Sequence, residues 1–134
     1  MLVRRFALGT YKDLKVWQKG IQLSKQVYIL SREFPKEETY GLTSQLRRAC
    51  VSIPANIAEG NGRSSSKDYA HFVSIALGSA REVETLLILG KEFGYINAES
   101  DLKASMELLD EVCRMLYSLR LKLSPDKSGW NVSN

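Results

Sequence analysis

The chain has 134 residues, 44% of them hydrophobic and 25% charged, with 19 basic against 15 acidic side chains and a formal net charge of +4. That length fits one domain whose core needs no disulfide or metal staple, and the composition excludes disorder. No apolar run approaches the roughly 20 residues that a membrane-crossing helix requires, and the opening MLVRRFALGTYKD has no apolar stretch behind its arginines, so it does not read as a secretory signal and the cytoplasm is the expected location.

The first helix is expected over Asp13 to Glu33. Leu14, Trp17, Ile21, Ser24 and Tyr28 make one stripe at helical spacing, and Val16, Gly20, Leu23, Val27 and Leu30 make a second beside it. Pro35 ends the pattern. The second helix is expected over Thr39 to Glu59, with Leu42, Leu46, Ala49, Ile53 and Ile57 facing the core. Pro54 lies inside it, where the lost N–H and the clash with the Cys50 carbonyl predict a kink rather than a stop. GNGRSSS, residues 60–66, is a loop, and Ser65 followed by Asp68 reads as the cap of the third helix.

In that third helix Phe72, Ala76, Ser79, Ala80, Val83, Leu87 and Gly90 form the expected core stripe, with Val73, Leu77 and Ile88 as a separate ledge. Gly94 closes it. Asn97 is the expected cap of the fourth helix, whose stripes are Leu102, Met106, Leu109, Cys113 and Leu116, with Leu108, Val112, Met115 and Leu119 alongside. The domain organisation is therefore an N-terminal extension over 1–11, a four-helix domain over 12–123 and a polar C-terminal tail over 124–134.

Short connections force sequential helices to run antiparallel, so the expected fold is all-α, an up-down-up-down four-helix bundle. A bundle helix buries roughly three of every seven positions. The first and fourth helices carry wider apolar arcs than that, and the third adds its ledge, which points to self-association. The plainer alternative is a monomer with scattered exposed apolar side chains.

Three strings, YKDLKVWQKG at 11–20, QLRRACVSIPANIAEGNGR at 45–63 and SIALGSAREVETLL at 74–87, resemble the four helix bundle protein family, met as open reading frames in intervening sequences of bacterial large-subunit ribosomal RNA. The resemblance spans residues 11–123. It implies an antiparallel four-helix subunit assembled as a homopentameric ring, and a relation to the accessory variability proteins of diversity-generating retroelements, which bind nucleic acid and a reverse transcriptase. Those partners come to this chain by analogy only. Within the second string, Arg48, Ser52 and Glu59 share one flank of the helix, where polar pairs can set register with a neighbour. Asn56 lies near the core edge, placed to satisfy backbone groups released by Pro54.

Catalytic chemistry finds little to work with. His71 is the one histidine, which removes every Ser-His, Cys-His and multi-histidine arrangement. Cys50 and Cys113 lack CxxC spacing and read as buried thiols, and the adjacent acids Glu37–Glu38 and Asp110–Glu111 diverge on their elements. No enzyme activity, cofactor or metal is expected. Gly60–Arg63 before a helix start lacks the GK[ST] of a phosphate-binding loop. It leaves a plainer choice between a serine-capped loop and a spot where Arg63, Lys67 and helix N–H groups hold a backbone phosphate.

Charge is more informative once topology is assumed. One end of the bundle collects eleven bases against six acids, while the remainder holds eight bases against nine acids. Lys12, Lys15, Lys19, Arg63, Lys67, Arg120 and Lys122 are therefore the candidate contacts to RNA or DNA phosphates, since aligned basic ends favour polyanions through counterion release. The alternative is a protein-interaction scaffold with no nucleic-acid role. No aromatic array for base stacking is evident in the sequence.

Overall fold

The computed structural model describes residues 10–124. The outer parts of the expected N-terminal extension and nearly all of the expected tail, including Arg4, Arg5 and Lys127, lie outside the described residues. Among the described residues four α-helices make up the fold: α1 over Lys15–Ser31, α2 over Leu42–Asn61, α3 over Ser66–Glu92 and α4 over Glu99–Leu123. Among the described residues there is no strand.

The helix starts show why local chemistry shifts a boundary. Before α1, Tyr11–Asp13 forms a 3-10 turn. It is held by a reciprocal cap in which Thr10 Oγ1 accepts from the Lys12 N–H and the Asp13 carboxylate accepts from the Thr10 N–H. The second helix opens three residues later than its pattern suggests, because Lys36–Glu38 winds a separate 3-10 turn. From there the Glu38 carboxylate reaches forward to accept the Leu42 N–H at 2.9 Å. Ser65 caps α3 as expected, accepting the Asp68 N–H at 3.1 Å, and Gly94 follows α3 at φ +80, a conformation that favours glycine. Asn97 does not cap α4. Ala98 occupies that position without a side-chain bond, and Glu99 and Asp101 in the first turn complement the helix dipole instead.

Contacts between elements establish an antiparallel ring of four. Gly20, Ser24 and Ser31 of α1 meet Pro54, Cys50 and Arg47 of α2, so the residue numbers run in opposite directions. Gly60 and Ser52 of α2 meet Phe72 and Ser79 of α3, and Lys19 and Gln26 of α1 meet Glu111 and Ser105 of α4. Sequential helices touch, α1 touches α4, and the diagonal pairs do not.

The core bears out the α2 stripe in full: Leu42, Leu46, Ala49, Ile53 and Ile57 are all buried. On α1 the stripe Val16, Gly20, Leu23, Val27 and Leu30 goes inside, while Ile21 and Tyr28 of the other stripe stay exposed. The expected α3 ledge divides. Val73 and Leu77 belong to the core and only Ile88 remains outside. The wide apolar arc of α4 is likewise absorbed, with Leu108, Leu109, Val112 and Leu116 buried together. Exposed large apolar side chains therefore gather on α1, α2, α3 and their connections, with Tyr117 the α4 member among the described residues.

Pro54 sits inside α2, buried against Gly20 of α1. Asn56 does not serve the carbonyl that this proline releases. Its amide donates to Ser52 O at 2.8 Å and to Ser52 Oγ at 2.9 Å. The Cys50 carbonyl instead faces Ser24 Oγ from α1 at 3.5 Å, a proton that Ser24 shares with its own helix at Gly20 O, 3.0 Å away.

Candidate nucleic-acid interface

Antiparallel packing brings the start of α1, the α2–α3 loop at 62–65 and the last turns of α4 to one end of the bundle. The seven candidate cations all lie there, and their surroundings divide them. Lys19 Nζ reaches Glu111 Oε2 at 3.1 Å, and Arg63 Nη2 reaches Glu59 Oε2 at 2.6 Å while its guanidinium lies 4.7 Å over the Phe72 ring. Arg120 stacks 5.4 Å over Tyr117. Lys12 is tied down through its backbone, donating its N–H to Thr10 and accepting from Gln18 Nε2 at 2.9 Å. Lys15, Lys67 and Lys122 make no ion pair among the described residues, and Lys15 and Lys67 are exposed. Lys122 is exposed as well.

Local sequence explains the pairing. Glu59 and Arg63 are one turn apart across the end of α2, as are Asp110 and Arg114 on α4, whose charged groups meet at 2.6 Å. The α3 start is a poor anion cradle: Ser65 takes the Asp68 N–H, and Asp68 places a carboxylate in the same first turn.

Within the subunit the four polar residues on one flank of α2 are not joined in a single network. Ser52 and Asn56 bond each other, and Ser52 Oγ lies 2.8 Å from Ser79 Oγ on α3, a polar bridge inside the α2–α3 contact. Glu59 belongs to the Arg63 pair. Arg48 lies toward the opposite end of the helix and makes no ion pair among the described residues.

The cysteine thiols are not activated. Burial pushes the Cys50 thiol up to about 11, and burial also raises that of Cys113, so both are protonated at neutral pH. Both cysteines are free. His71 is exposed, with its ring edge against Phe72 at 5.7 Å. Among the described residues no cluster of three His, Cys, Asp or Glu side chains could hold a metal ion, and no helix is long and apolar enough to cross a membrane.

Sequence reasoning passed over a second set of cations, at the far end. Arg47 of α2 donates from Nε to the buried Ser31 hydroxyl at 2.8 Å and from Nη2 to Tyr28 O at 3.3 Å, with its guanidinium 4.6 Å over the Tyr28 ring. Acids nearby in sequence offset this cluster in the net charge of its end. The available signal was the run Arg47–Arg48 together with Arg32 and Lys36 flanking Pro35.

No curated protein matches the chain. Its fold is similar to the crystal structure of a protein with unknown function from the S23 ribosomal protein family of Bacteroides thetaiotaomicron VPI-5482, at 25% identity and a TM-score of 0.69, over 78% of this chain and 97% of that one. The family model for the 23S rRNA-intervening sequence protein matches residues 12–118. With nearly the whole helical domain matched and the same fold in a relative, this chain belongs to the 23S rRNA-intervening sequence protein family.

Proposed function

We propose that the chain is a non-enzymatic, self-associating helical module that contacts the backbone of RNA or DNA through its basic end, acting as an accessory factor in the cytoplasm. The observation that carries this reading is the trio Lys15, Lys67 and Lys122, exposed at one end and without carboxylate partners among the described residues. Exposed ammonium groups of this kind displace condensed counterions from a polyanion without first breaking an internal pair.

Support for self-association lies on α2 and α3. Val51, Ile75 and Leu89 are exposed there, and Gly78 between the last two has open space where a side chain would stand. Exposed apolar groups, and a helix position that has no side chain, suit the close approach of another helix. A homopentameric ring would set five basic ends side by side. A reverse transcriptase as partner, as for the accessory variability proteins, is the most specific form of the proposal.

Light scattering of the purified protein should give a mass several times that of one chain. Titration with RNA and with DNA should give affinity that falls steeply with salt. Reversing Lys15, Lys67 and Lys122 to Glu should lower the salt slope by about 1 for each phosphate no longer neutralised. Absence of binding at low salt defeats the nucleic-acid part, and a stable single chain at high concentration defeats the assembly. A protein-interaction scaffold is the second reading, favoured by the Lys19–Glu111 and Arg63–Glu59 pairs, which neutralise cations within the subunit. It predicts that charge reversal leaves partner capture intact.

A further inference from the structure

Between the last turn of α1 and the first turns of α2 lies an open pocket of about 550 Å³, at the end of the bundle away from Lys15 and Lys67. Its wall holds Arg32, Lys36, Arg47 and Arg48, and no carboxylate among the described residues lines it. Of the acids nearby in sequence, Glu38 and Glu33 are engaged elsewhere. Glu38 is engaged by the Leu42 N–H and by the Tyr95 hydroxyl, which donates to it at 3.0 Å, and Glu33 lines a different hollow beside Ile96. Arg47 is held in place by Ser31 and Tyr28, so its guanidinium is ordered before any ligand arrives. Arg32, Lys36 and Arg48 make no ion pair or side-chain hydrogen bond among the described residues.

Two further features point to what such a pocket takes. Thr43, only 8% exposed, lines it, and its hydroxyl makes no hydrogen bond among the described residues. No buried side-chain polar atom among the described residues is left unpaired, so that hydroxyl must reach the surface at the pocket wall. Four cations and a recessed hydroxyl make a setting for a phosphate, while the N–H of Leu42 at the start of α2 is already taken by Glu38. Tyr40 also lines the pocket, 96% exposed, with a ring that contributes nothing to the core. A free aromatic face next to a cationic pocket is the arrangement that stacks a base while its phosphate is held.

We propose that this pocket binds a nucleotide unit, with the phosphate held by Arg32, Lys36, Arg47 and Arg48 and the base stacked on Tyr40. It shares a ligand class with the proposed function but uses none of the same residues, so either can fail alone. The unit comes either as a free nucleotide or as part of a single strand. Glu82, which lines the adjoining groove with Arg48, and the exposed Glu37 beside Lys36 oppose the ligand's charge.

The test uses the full chain at low ionic strength, titrated by calorimetry with adenosine 5′-monophosphate, hexaadenylate and inorganic phosphate. The combined Arg32→Glu and Arg48→Glu substitutions remove cations with no internal partner. They should weaken both nucleotide ligands at least about tenfold with helix content unchanged by circular dichroism. Tyr40→Ala should weaken adenosine monophosphate about tenfold and leave inorganic phosphate unaffected. Comparable affinity for the monophosphate and the hexamer identifies a free nucleotide, and much tighter binding of the hexamer identifies a strand. Either upholds the site. No saturable binding of either ligand, or binding that the double reversal leaves intact, overturns it. If Lys15→Glu with Lys67→Glu abolishes binding while the pocket reversal does not, the pocket falls and the basic end stands.

Discussion

The two ends of this bundle carry similar residues to different effect. At the end built from the start of α1, the α2–α3 loop and the last turns of α4, cations alternate with acids at one-turn spacing. The pairs Glu59–Arg63 and Asp110–Arg114 close at one-turn spacing, and Lys19–Glu111 closes between two helices. At the other end four bases line one pocket that no carboxylate among the described residues lines, and Glu38 is held by the Leu42 N–H and the Tyr95 hydroxyl. Net charge per end favours the first. Local charge, which a bound phosphate feels within a Debye length of roughly 8 Å at physiological salt, is concentrated at the second.

That contrast can be broken most strongly through packing. Phe34 is buried at the pocket end, against Tyr95 at a ring separation of 5.6 Å. Phe34→Ala is expected to lower stability by about 3–5 kcal/mol, read from urea unfolding, and to weaken nucleotide binding at the pocket while leaving the ends of α1 and α4 near Lys19 intact. A loss below about 1 kcal/mol would mean that this end does not depend on its floor.

A smaller effect is expected at the opposite end. A Cβ on Gly60 would stand 2.8 Å from Phe72 Cβ and 3.2 Å from the Tyr69 carbonyl oxygen, so α2 and α3 must part to admit it. The gain of up to about 1 kcal/mol in helix propensity does not offset overpacking. Gly60→Ala should lower stability by about 1–2 kcal/mol, seen as an earlier urea midpoint. A later midpoint would show the two helices separable there.

The smallest change sharpens the electrostatic side. Glu59→Gln removes an exposed pair and should alter stability by no more than about 0.5 kcal/mol. It frees Arg63, so the salt slope of polyanion binding should steepen by about 1. An unchanged slope would place the contact elsewhere.

Much of the helical layout was readable from spacing alone. The α2 core stripe, the Ser65 cap and the Gly94 stop each depend on a few neighbouring residues, and each stands where its pattern put it. The α1 stripes were less readable, because both have helical spacing and only the placement of neighbours decides which one is inside. The role of Asn56 was misread for a related reason. The carbonyl released by Pro54 faces Ser24, a residue 26 positions away from Cys50 on another helix.

The candidate site was legible only in part. The cations of the basic end could be gathered from topology, yet their pairing with Glu59 and Glu111 depends on side-chain direction. The pocket beside Tyr40 was not legible, since an end-by-end charge count has no angular coordinate and adds opposed walls together.

What the sequence by itself determined is the set of four amphipathic helices, their order, and the cap at Ser65 and stop at Gly94 that bound the third, because hydrophobic periodicity and capping act over one or two turns. Tertiary structure decided which apolar stripes close the core, and which charges meet or stand apart. Those outcomes depend on the angle at which each helix faces its neighbours, a relation between residues distant along the chain.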